Sequence, residues 1–139
     1  MTIPLVDTNV ILRHLLQDDP SQSLAATRFF ERIQRGDARA RIAETVVFEA
    51  AFTLQGFYHV PRSTIRDTLL PVLELPGVVL SRKDTWRKVF DLYTTLNLSF
   101  ADAYHSVLAQ QHAEGEIVSF DRGLDRVPGL RRIEPGGAD

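Results

Sequence analysis

The chain has 139 residues, 44% hydrophobic and 24% charged, an ordinary globular composition for one domain, which excludes disorder and low-complexity polymers. It has no cysteine, which excludes disulfide scaffolds, thiolate metal sites and cysteine nucleophiles. A net charge of −2, from 16 basic and 18 acidic residues, excludes a strongly basic nucleic-acid footprint.

The N-terminus meets Asp7 with no basic segment before it, so it does not read as a secretory signal. No apolar run approaches the roughly 18 residues of a membrane helix. Ile3 to Val6 reads as a buried strand ending at Asp7. Val10, Ile11, His14 and Leu15 follow at helical spacing. Asp19-Pro20 predicts a helix start, with Asp as N-cap and Pro in the first turn, and Gly36 predicts its end. Ala38 to Ala43 reads as a strand at a sheet edge, where Arg39 and Arg41 either solvate the edge or contact phosphate. Glu44 to Phe57 reads as a strongly apolar helix. Ser63 is expected to cap a helix through Leu73 that Pro71 bends or shortens. Pro76-Gly77 predicts a turn into the strand Val78-Val79-Leu80. Asp84 to Leu96 predicts an amphipathic helix with Trp86, Val89, Phe90 and Tyr93 on its core side. Ala101 to Gln111 is a further helix, Ile117 to Phe120 a further apolar strand, and Arg131 to Ile133 a last short one.

Apolar strands alternating with helices imply parallel pairing with crossover helices. The expected fold is α/β, a three-layer sandwich with a central parallel sheet flanked by helices. It is expected to form a single domain over residues 1–134, with a frayed tail at 135–139.

Four acids occupy notable places. Asp7 and Asp121 each follow a predicted strand, and each also suits a helix N-cap. Glu49 sits inside Val46-Val47-Phe48-Glu49-Ala50-Ala51-Phe52, with apolar neighbours in nearly every helical direction; one narrow polar stripe, Thr45, Glu49, Thr53 and Gly56, offers it a route to solvent. Asp102 lies near the start of a mostly apolar helix, and Ser99-x-x-Asp102 also fits a capping box. Converging carboxylates repel one another unless a cation neutralises them, and Mg²⁺ and Mn²⁺ take oxygen ligands. Such an ion positions and activates water and stabilises charge on a phosphodiester.

The four segments Val6-Asp7-Thr8-Asn9-Val10, Glu44-Thr45-Val46-Val47-Phe48-Glu49, Phe100-Ala101-Asp102-Ala103 and Ser119-Phe120-Asp121-Arg122 resemble, in order, the acid motifs of PIN-domain ribonucleases. The resemblance is to VapC-type toxins of toxin–antitoxin pairs and covers essentially the whole chain. It implies a cytoplasmic endoribonuclease using Mg²⁺ or Mn²⁺ held by Asp7, Glu49, Asp102 and Asp121. Asn9 and Ser119 would hold water or orient the ligands, and Arg13, Arg122 and Arg126 would grip RNA phosphates. It further implies a cognate antitoxin protein lying across the cleft, and a homodimer. The chain departs from the pattern after the fourth acid: Gly123 stands where many relatives carry a further acid, and Asp125 is the nearest substitute.

A non-cleaving PIN-like module that binds RNA or protein is the alternative, but it would be expected to lack one of the acids. A small phosphatase would want a lysine near a nucleophilic aspartate, and Lys83 and Lys88 lie away from the acid motifs. No serine elbow or glycine-rich phosphate loop is present, and His14, His59, His105 and His112 have no metal-ligand spacing.

Overall fold

A computed structural model describes residues 2–136, which fall into two compact units divided between Lys83 and Asp84. Of the tail expected to fray, residues 137–139 lie outside the described residues.

The first unit holds four helices among its described residues: α1 (Thr8–Leu16), α2 (Pro20–Gln34), α3 (Glu44–Gly56) and α4 (Arg62–Leu73). Helix α1 packs on α2 and α3, and α3 packs on α4. Helix α2 starts as its sequence dictates: the Asp19 carboxylate accepts from the Gln22 amide at 3.0 Å and Pro20 occupies the first turn. The cap of α4 differs from expectation. Pro61, with φ −60° and ψ 147°, stands at its N-cap, and Ser63 falls inside the first turn with no capping role. Pro71 sits exposed within α4, which still runs on to Leu73.

Two strands pair in parallel in this unit, β1 (Ala40–Arg41) with β2 (Val78–Val79). The segment Ile3–Val6 is not the buried strand its apolar run predicts. It contributes one parallel bridge, Leu5 to Arg41, and of its four residues only Val6 is buried, with Leu5 68% exposed. Strand β1 is therefore not an edge. Arg41 N–H donates to the Pro4 carbonyl on one side, while Ala40 N–H donates to Gly77 and Ile42 N–H to Val79 on the other. Edge solvation consequently does not explain Arg39 and Arg41. Ala40 and Ile42 face the core, with Val78 and Leu80 from the β2 segment.

The second unit contains α5 (Trp86–Thr95) and α6 (Phe100–His112). Helix α5 begins two residues later than predicted because residues 81–85 form turns, and buried Thr85 donates its hydroxyl to Gln111 Oε1 instead of capping. The predicted core side is buried: Trp86, Val89, Phe90 and Tyr93. Trp86 stacks on Tyr104 with centroids 5.1 Å apart, and Phe100 meets Phe90 and Tyr93 edge-on at 5.0 and 5.3 Å. Strand β3 (Glu116–Val118) pairs in parallel with β4 (Arg131–Ile133). Strand β3 stops at Val118, two residues before the predicted end at Phe120, and both Val118 and Phe120 are exposed. A short 3₁₀ helix, Arg122–Arg126, follows.

Six α-helices and short, parallel strand pairs among the described residues make the chain α/β, as the alternating pattern predicted.

Candidate active site

Asp7 occupies the N-cap of α1 in an extended conformation, yet its side chain makes no capping bond and is exposed. Its capping explanation is therefore not realised. Asp7 and Asn9 line a groove of about 660 Å³ within the first unit, whose walls include Leu5, Val10 and Phe29. Arg13 also lines it. Its guanidinium is committed to the fold: Nη2 donates to the Tyr58 hydroxyl at 3.1 Å, and Nη1 pairs with Asp18 at 3.1 Å. Arg13 Nε is buried without a partner among the described residues. This arginine ties α1 to the chain beyond α3, and both terminal nitrogens have protein partners.

Glu49 is exposed. Helix α3 buries Val47, Ala50, Ala51 and Leu54 at helical spacing, and this turns Thr45, Glu49, Phe52 and Gly56 to solvent. The polar stripe noted in the sequence is real, and it includes Phe52 at 78% exposure. The apolar neighbours of Glu49 in sequence do not bury it.

Asp102 is half-buried in the first turn of α6. The Ser99 hydroxyl accepts from the Asp102 amide at 3.1 Å, one half of the capping box. That bond uses the Asp102 backbone and leaves its carboxylate unspent. Asp121 does cap: it is the N-cap of the 3₁₀ helix, and its Oδ1 accepts from the Gly123 amide at 2.8 Å. Ser119 Oγ accepts from the Asp121 amide at 3.0 Å, so the hydroxyl shapes the backbone that carries the acid and keeps its own O–H as a donor.

The structure thus groups Asp7, Asn9 and Arg13 in one unit, and Ser119, Asp121 and Gly123 in the other. Within either unit, among the described residues, no three His, Asp or Glu side chains gather as a ligand set. The donor chemistry nevertheless fits a hard divalent cation. Asp7, Glu49, Asp102 and Asp121 are carboxylates accessible to solvent that join none of the ion pairs found among the described residues, which engage Asp18, Asp37, Glu44, Asp67, Glu116, Asp125 and Glu134 instead.

Asp125 is spent. Both of its oxygens accept from Arg132, at 2.9 and 3.4 Å, which removes it as a substitute for the missing acid at position 123. Arg126 Nε donates to the Gly123 carbonyl at 3.0 Å, and Arg122 is exposed with no partner among the described residues. His105 is exposed on α6. Lys83 donates to the Leu75 and Val78 carbonyls at 2.5 and 2.6 Å, and burial depresses its pKa with help from Arg39. These bonds make it a structural lysine. The residue that sequence reasoning missed is Arg132, which was read only as part of a final strand. Nothing in one dimension brings it beside residues 119–125.

Comparison with known proteins matches residues 5–130 to the PIN domain. No curated protein matches the chain significantly. No helix is long and apolar enough to cross a membrane among the described residues.

Proposed function

The chain belongs to the PIN domain family, a family of nucleases, and on that premise we propose that it is a metal-dependent endoribonuclease acting as the toxin of a toxin–antitoxin pair. The observation that carries this reading is that all four motif acids, Asp7, Glu49, Asp102 and Asp121, stand in family order with carboxylates uncommitted to ion pairs. These are the residues proposed to hold Mg²⁺ or Mn²⁺. When bound, such a cation activates a water and offsets charge on the phosphodiester. Glu49 either joins the ligands or takes the proton of the attacking water. Asp121 keeps one oxygen on the Gly123 amide and has the other free for a ligand. Asn9, exposed in the groove, is proposed to orient water there, whereas Ser119 acts through the Asp121 backbone. Arg122 and the free guanidinium nitrogens of Arg126 are proposed to grip flanking phosphates.

The wider architecture belongs to the same proposal: one domain over residues 1–134, built as a three-layer sandwich on a central sheet. The groove beside Asp7, with apolar walls, is a suitable seat for an antitoxin segment that blocks cleavage. Exposed Phe52 and Phe57 support a homodimer contact. RNA is the substrate class, and the cytoplasm is the compartment in which such a toxin acts.

The test is to induce wild type and Asp102→Asn in bacterial cells without antitoxin and map new RNA 5′ ends across the transcriptome. New ends with wild type that vanish with Asp102→Asn are the expected result. Full cleavage by Asp102→Asn would sink the assignment. A folded wild-type protein that produces no new ends and binds no Mn²⁺ by calorimetry would favour the non-cleaving module.

A further inference from the structure

We infer that Arg132 is a positioning residue for the Asp121 carboxylate, acting through a clamp on residues 119–125; its importance for metal binding rests on the reading above. Arg132 lies on β4, and its side chain is only 11% exposed. It donates in three directions. Nε and Nη2 reach the two oxygens of Asp125 at 2.9 and 3.4 Å, in the 3₁₀ helix. Nη1 reaches the Ser119 carbonyl at 3.1 Å and Glu134 Oε1 at 3.0 Å. One guanidinium therefore ties residue 119 and residue 125, the two ends of the segment that carries Asp121.

Inside that segment the bonds continue to the carboxylate. The Ser119 residue held through its carbonyl also accepts, at Oγ, from the Asp121 amide. The Asp121 carboxylate accepts from Gly123, whose carbonyl accepts from Arg126. Gly123 is matched to this arrangement, because a Cβ there would stand 3.0 Å from Asp121 Oδ1. A side chain at 123 would crowd the acid that the clamp holds in place. The departure from the family pattern at 123 and the pairing of Asp125 with Arg132 thus form one arrangement. Asp125 orders the loop, and the loop presents a single acid. The role demands a planar fork with several donors, which lysine lacks.

Amide hydrogen exchange at Gly123, followed by NMR on the full chain without metal, reads the clamp directly. Calorimetric titration with Mn²⁺ alone reads its consequence. Arg132→Met and Asp125→Asn are expected to speed Gly123 exchange about 10-fold or more while α3 amides keep their protection. They are expected to weaken Mn²⁺ binding by about 10-fold, the effect of losing a group that orients a ligand. Arg132→Lys should fail to restore either. If Arg132→Met does not fold, Asp125→Asn decides, since it removes one charge and keeps the shape. Unchanged Gly123 exchange in a folded variant overturns the inference, whether or not Mn²⁺ affinity moves. A wild type that takes up no Mn²⁺, with Gly123 exchange still responding to both substitutions, would instead refute the metal reading and uphold the clamp.

Discussion

Asp7 and Asp19 each stand before a helix, yet only Asp19 places a carboxylate oxygen on a first-turn amide, that of Gln22. Asp19→Ala is therefore expected to cost about 1 kcal/mol in urea denaturation. Asp7→Asn should leave stability within about 0.5 kcal/mol, as an exposed side chain without a bond would, while abolishing RNA cleavage. A clear stability loss at Asp7 would return it to a structural role. His14 supplies a pH effect of known sign. Burial lowers its pKa, opposed in part by Glu31, and its Nδ1 bonds the Thr27 hydroxyl at 2.9 Å. The folded protein therefore binds this proton less readily than the unfolded chain. The His14 contribution is fully present above the unfolded value of about 6.5 and is eroded as pH falls below it, levelling off once the lowered folded-state pKa is passed. Thermal melts at pH 7.5 and pH 5 should show a larger drop for wild type than for His14→Gln.

Elements meet through contacts that propensity does not encode. The Pro76-Gly77 turn was legible as punctuation, but the reason for glycine is tertiary: a Cβ at 77 would lie 2.8 Å from Ile33 Cγ2 on α2 and 3.0 Å from the Ala38 carbonyl. Gly77→Ala is expected to destabilise by about 1–3 kcal/mol through overpacking, measured by chemical denaturation. A neutral result would mean that the α2 end yields to the turn. The amphipathic face of α5 was equally legible, because Trp86, Val89, Phe90 and Tyr93 recur at helical spacing and all four are buried. The start of α5 was not, since the Thr85 hydroxyl is drawn to Gln111, 26 residues away.

At the scale of the whole molecule, the proposed cation binding makes a prediction about stability. Mn²⁺ at about 100 times its dissociation constant should stabilise the folded chain by about 2.7 kcal/mol, seen as a rise in melting temperature that a chelator reverses. The rise should shrink in Asp102→Asn and Asp121→Asn. Stabilisation of equal size in both variants would show that the cation binds elsewhere.

Local physics made much of this protein legible from sequence alone. The α2 cap, the α1 and α3 helices and the core side of α5 follow from neighbouring residues, because capping, periodicity and turn chemistry act over a few positions, while the parallel pairing was legible from the alternation of strands and helices along the chain. The order of the acids was likewise written in the chain. Tertiary structure decided which groups are free and which are spent. It exposed Glu49 despite its apolar sequence neighbours, made β1 a strand paired on both sides, and committed Arg13 to Tyr58 and Asp18. It also set Arg132 against Asp125 and the Ser119 carbonyl. The reason is the same in each case: a hydrogen bond or ion pair is chosen by proximity in space, and partners 7 or 45 residues apart leave no periodic trace in the sequence.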